Sequence, residues 1–134
     1  MKKATKGWFE SAESDLLLIH EISLIEGLTH VSAFHAHQAI EKSFRAIIEE
    51  FEIGFIKTHS LENLYNKVKT LLRIQIDIDK LIILDHLYID ARYPGDFGLL
   101  PNGKPSVKEA SAFYKTAKEV FDASNAVCQS APNT

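Results

Sequence analysis

The chain has one cysteine, one methionine and one tryptophan, and only 4 prolines and 6 glycines interrupt its 134 residues. A lone Cys128 excludes a disulfide framework and any thiolate-based zinc site, and it fits a reducing compartment as a core residue of the last helix. So little Gly and Pro excludes a low-complexity chain. Apolar runs stop at four or five residues, far short of the roughly 18 a membrane span needs, and Lys2 and Lys3 are followed by no apolar stretch. Neither an export signal nor a membrane span is therefore expected, and the protein is expected in the cytoplasm. A net charge of -3 and a pI near 6.0 exclude a global attraction to polyanions, so any nucleic-acid contact must be a local cluster.

What is present is helical periodicity in a chain 46% hydrophobic and 25% charged. Its length suits one domain, 1–134, with an ordered core over about 7–128. From Gly7 to about Glu26, Trp8, Ala12, Asp15, Leu16, Ile19 and Ile22 recur at helical spacing, with Gly27 as the stop. Asp15 falls inside that apolar stripe, where a carboxylate is costly unless it finds donors. The stretch 34–51 places Ala36, Ile40, Phe44, Ile47 and Phe51 on one stripe with Ala33, and Gln38, Lys42, Arg45 and Glu49 opposite. Thr29 is its expected N-cap and Gly54 its close. Leu61, Leu64, Tyr65, Val68, Leu71 and Leu72 predict a third helix capped by Thr58 or Ser60. Over 74–79 the residues alternate briefly, but no partner strand exists, so this is a loop in which Asp77 or Asp79 caps a fourth helix. That helix must end before the Pro- and Gly-rich stretch from Tyr93 to Pro105. Ser106 then caps a fifth helix, lined on one side by Val107, Ala110, Phe113, Tyr114, Ala117, Phe121 and Cys128. The expected fold is all-α, an antiparallel up-down bundle of four to five helices.

Three groups of side chains carry possible chemistry: Gln38, Glu41, Lys42 and Arg45; Lys57, Thr58 and His59; and Asp85, Asp90, Arg92 and Tyr93. Lys42 and Arg45 supply phosphate-binding charge on one face, and Arg92 adds a planar fork at a helix end. Each has a plainer structural reading as well. Lys42 and Arg45 suit solvated charges paired with Glu41 and Glu49. Arg92 suits an ion pair with Asp85 or Asp90, and His37 suits a core position. Asp15, Glu41, Asp85 and Asp90 would then belong to a polar network with Gln38, His59 and Arg92 that fixes helix register. No metal or cofactor is expected. His35 and His37 point to different sides of one helix, and the chain has no Gly-rich phosphate loop.

Four motifs occur in order: Trp8, Ala12, Asp15 and Leu16 as W-x(3)-A-x-x-D-L; Phe34 to Lys42 as F-x-A-x-Q-A-x-E-K; Lys57 to Leu61 as K-T-H-x-L; and Ala91 to Pro94 as A-R-Y-P. Together they resemble the HEPN family of small helical-bundle proteins in prokaryotes and higher eukaryotes. The resemblance implies a homodimer, often paired in a toxin–antitoxin-like way with a minimal nucleotidyltransferase. Many members are metal-independent ribonucleases carrying Arg, four to six residues, then His. Arg92 corresponds to that Arg, but the stretch YPGDFGLLPNG after it holds no His. The expected function is therefore a noncatalytic dimeric module in which Gln38, Lys42, Arg45, His59, Arg92 and Tyr93 receive a nucleotide or RNA phosphate and Tyr93 stacks on a base. The alternatives are a metal-independent endoribonuclease using Arg92 with His59 or His86, and an interaction protein whose polar network binds no ligand. Leu17, Leu18, Leu24 and Ile25 exceed one apolar stripe and are the expected dimer surface.

Overall fold

In the computed structural model, which describes residues 1–92 and 104–131 and only the backbone of 91 and 92, the chain forms five α-helices. They are α1 (Lys3–Ile22), α2 (Thr29–Glu50), α3 (Leu61–Val68), α4 (Ile78–Arg92) and α5 (Val107–Gln129), with a 3-10 turn at Glu26–Leu28. There is no strand among the described residues, and the architecture is an antiparallel up-down bundle. No helix among them is long and apolar enough to cross a membrane.

α2 is the axis of the bundle and packs against all four other helices. Ala33, Ala36, Ala39 and Ala46 keep its surface shallow, so neighbouring helices approach closely while Ile40, Phe44 and Ile47 fill the space between them. Of its 22 residues, 13 are buried, among them His37, Glu41 and Ser43. Its polar face is therefore not a solvent face: Gln38, Lys42 and Arg45 lie half-buried between helices, and of the expected polar stripe Glu49 alone is exposed. A helix with neighbours on every side buries its hydrogen-bonding groups along with its apolar ones.

Several boundaries shift for local reasons. α1 begins at Lys3 rather than Gly7 and stops at Ile22, because residues 23–28 turn through the 3-10 segment. Thr29 is the first residue of α2 and not its cap; its hydroxyl donates to the Glu26 carbonyl. Ser60 caps α3 by accepting the Asn63 amide, and α3 ends at Val68, four residues before its apolar pattern does. Leu72 is nonetheless buried, from the turn that follows. Asp77 accepts the Asp79 amide ahead of α4, and Ser106 with Glu109 forms a reciprocal capping box on α5.

The close of α2 is instructive. The Ile53 amide donates to Ile48 O and the Glu52 amide to Glu49 O, the paired bonds of a Schellman motif. The left-handed residue it requires is Glu52, at φ 52°, not Gly54, which adopts φ 104° two residues later. After α2 the connector 51–60 runs over the surface, with Ile53 and Ile56 packed against the core and Phe55 exposed.

Cys128 is buried, and burial first and the Glu50 charge second push its thiol up to about 12. At pH 8 the thiolate needed for alkylation is thus scarce and shielded. We expect iodoacetamide to modify Cys128 at least about a hundredfold more slowly in the native protein than in 6 M guanidinium, as followed by mass spectrometry.

Candidate functional site

Two carboxylate–imidazole assemblies flank α2. On the α1 side, Asp15 is buried and accepts from His35 Nδ1 and from Lys42 Nζ, both at 2.8 Å. His35 and Lys42 are seven residues apart, two helical turns, so both reach the same point on α1. The donors that the buried Asp15 requires thus come from α2. They are not Gln38 or His59, since Gln38 approaches His37 and His59 binds Glu41.

The second assembly fills the wedge between α2, α4 and the connector. His37, Glu41 and Arg45 occupy successive turns of one α2 stripe. The His37 side chain is 0% exposed; its Nε2–H donates to Asp85 Oδ1 at 3.0 Å while its ring stacks on Tyr88 with centroids 4.3 Å apart and planes 6° apart. Asp85 also accepts the Leu61 amide at 2.8 Å, the Glu62 amide at 3.3 Å and the Ser60 hydroxyl at 3.1 Å. It thereby supplies the anion that the N-terminus of α3 favours. Burial pushes the Asp85 carboxyl up, but the bonds from His37, Leu61 and Glu62 outweigh it and hold the group below its ordinary range.

Glu41 is the buried carboxylate one turn along. It accepts from Arg45 Nε and from His59 Nδ1, both at 3.1 Å, and its Oε1 lies 4.0 Å from His37 Nδ1. The rest of the Arg45 guanidinium donates to the carbonyls of Ile56 and Thr58, so its fork binds the connector to α2. Its side chain is 13% exposed and committed, as is Lys42 on Asp15. The two cations expected to meet a ligand are thus clamps, because a low-dielectric wedge makes unpaired carboxylates expensive. Gln38 approaches His37 Nδ1 at 3.5 Å.

His59 differs from its neighbours. Its side chain is 59% exposed; Glu41 holds Nδ1, and Nε2 has no partner among the described residues. A buried carboxylate fixing one imidazole nitrogen while the other faces solvent is an arrangement suited to proton exchange or to anion contact. It opens on a groove of about 680 Å³ whose walls include Trp8, Ile48, Phe55 and Lys57. His86 is exposed on α4. Asp90 lies half-buried near the end of α4 and makes contacts of its own. The Arg92 side chain and Tyr93 lie outside the described residues, as does most of the stretch from Tyr93 to Pro105.

Three participants escaped the reading of the sequence: His35, Tyr88 and Phe55. For His35 the signal was there, since its spacing from Lys42 puts both on the stripe facing the misplaced Asp15. Tyr88 and Phe55 gain their places only through α4 and the connector meeting α2.

A HEPN domain model matches residues 5–127. The crystal structure of an archaeal HEPN homologue is similar in fold, with a TM-score of 0.69 over 96% of this chain and 99% of that one at 20% sequence identity. No curated protein matches the chain.

Proposed function

The chain belongs to the HEPN family, and from that premise we propose that it is a dimeric, noncatalytic module that receives a nucleotide or RNA phosphate and works beside a minimal nucleotidyltransferase in a toxin–antitoxin-like pair. The observation that carries the ligand part is the Glu41–His59 pair: a buried carboxylate presents an exposed imidazole at the mouth of a groove. Lys42 and Arg45 are held in ion pairs, so the phosphate contact falls to His59 and Lys57; Arg92 and Tyr93, outside the described side chains, are proposed beside them from the sequence alone. Equilibrium dialysis of the wild type against adenosine 5′-monophosphate and a short oligoadenylate tests the reading; retention of neither ligand would end it.

Dimerisation is supported by the exposure of Leu17, Leu18, Leu24 and Ile25 around the end of α1, where Leu24 is 85% exposed. We expect the wild type to scatter light as a dimer at tens of micromolar, and Leu17→Glu/Leu24→Glu to raise the dimer dissociation constant at least about tenfold. A monomeric wild type would remove this part.

A second reading, metal-independent endoribonuclease activity, is favoured by the same His59 geometry, since a fixed tautomer with an open Nε2 is what general acid–base transfer needs. The histidine missing after Arg92 weighs against it. Cleavage of single-stranded RNA in EDTA by the wild type, lost in His59→Ala, would establish it in place of the noncatalytic one.

A further inference from the structure

The groove beside His59 is lined by two unlike sets of side chains, apolar and charged. Ile48 and Ile56 line it with the half-buried ring of Trp8 and with Phe55, which is 87% exposed. Within the connector Phe55 stands in water while Ile53 and Ile56 on either side pack against the core. A large aromatic surface left in water beside a concave wall is the kind of surface that planar ligands cover.

Lys2 is bound to the Glu52 carboxylate at 2.7 Å and to the Glu49 carbonyl, and Arg45 is bound to Glu41. With these pairs set aside, Lys57, His59 and the Glu49 carboxylate remain along the groove. Among the described residues Lys57 has no ion-pair partner, and Thr58, which also lines the groove, follows it in the chain ahead of His59, its hydroxyl accepting the Ser60 amide. An ammonium, a hydroxyl and an imidazole in succession suit one phosphate, while Glu49 disfavours a chain of them. The volume, about 680 Å³, falls within the roughly 300–1,000 Å³ typical of small-molecule sites.

We propose that this groove binds a single nucleotide unit, free or at the end of an RNA strand, with its base against Trp8 and Phe55 and its one phosphate at Lys57, Thr58 and His59. The proposal rests on the phosphate-binding reading above and assigns the base to Trp8 and Phe55 in place of Tyr93. Glu41 is the positioning residue: with Arg45 it turns the His59 ring so that Nε2 faces the phosphate and donates to it when protonated.

Trp8 is the sole tryptophan, so its fluorescence reports the site directly. The protein would be titrated at pH 6 with adenosine 5′-monophosphate, with a six-residue oligoadenylate and with inorganic phosphate, exciting at 295 nm and correcting against free N-acetyltryptophanamide. Saturable quenching by the mononucleotide or the oligomer, but not by phosphate, is the expected result, and the tighter of the two names the source. Phe55→Ser, a substitution at an exposed side chain, should weaken binding about tenfold through lost stacking. Lys57→Gln should weaken it several-fold, and helical circular dichroism should stay unchanged in both. Binding by dialysis that leaves Trp8 silent and tolerates both substitutions would place the ligand elsewhere, overturning this site while leaving the functional reading intact. No binding by either method would overturn both.

Discussion

Asp85→Ala will lower the free energy of unfolding by about 3–5 kcal/mol, because it leaves several donors of a largely buried hydrogen-bond network without their acceptor. The two oxygens of Asp85 satisfy four donors from three places: the fully buried His37, the first two amides of α3 and the Ser60 hydroxyl. Alanine leaves the His37 Nε2 proton without an acceptor and exposes α3, only eight residues long, to fraying at its start. Asp85→Asn keeps one acceptor oxygen and should cost about 1–2 kcal/mol. The pH dependence has a definite sign. Burial raises the Asp85 pKa and hydrogen bonding lowers it further, leaving it below the ordinary 3.8. A carboxylate depressed in the folded state contributes stability that is fully present above its unfolded pKa and is lost as pH falls through the folded value. Below about pH 4 the wild type should therefore lose stability more steeply than Asp85→Asn. Urea unfolding at pH 7 and at pH 3 checks both statements; an Asp85→Ala midpoint equal to that of the wild type would refute the role.

The second large effect belongs to the other side of α2. Lys42→Met leaves Asp15 buried with His35 as its one remaining side-chain donor among the described residues and should cost about 3 kcal/mol. Asp15→Leu/Lys42→Met removes both charges and should return to within about 1 kcal/mol of the wild type, since an apolar pair of similar volume avoids the desolvation that the ion pair suffers. A double-mutant cycle by urea denaturation should thus yield a coupling energy of about 2 kcal/mol. Coupling near zero would mean that water, not Lys42, satisfies Asp15. Because Lys42 serves Asp15, Lys42→Met should leave nucleotide affinity within about twofold of the wild type, whereas a ligand-binding lysine would lose about tenfold.

Much of the architecture was readable in advance because helices announce themselves locally. The apolar spacing from Leu61 to Val68 and the Ser106–Glu109 capping box are short-range features, settled within a turn or two of backbone. Where prediction and structure part, a non-local contact intervenes. The apolar pattern of the third helix runs on to Leu72, yet the helix stops at Val68, and the turn after it brings Leu72 into the core. Gly54 is the residue that intrinsically favours a left-handed close, but Glu52 takes that conformation, with its carboxylate on Lys2 fifty residues away in sequence.

The sequence by itself determined an all-helical chain, the order and approximate extent of its five helices, and the family that its four motifs resemble. It also required donors for Asp15, since an apolar stripe cannot hold a bare carboxylate. Only the tertiary structure decided which cations remain available to a ligand. Lys42 and Arg45 are as polar in sequence as Lys57 and His59, but α2 runs through the centre of the bundle, and there the desolvation of Asp15 and Glu41 draws the two cations into ion pairs. Lys57 and His59 stand on the connector after α2, where Lys57 has no ion-pair partner among the described residues and His59, held by Glu41 through Nδ1, keeps its other nitrogen open.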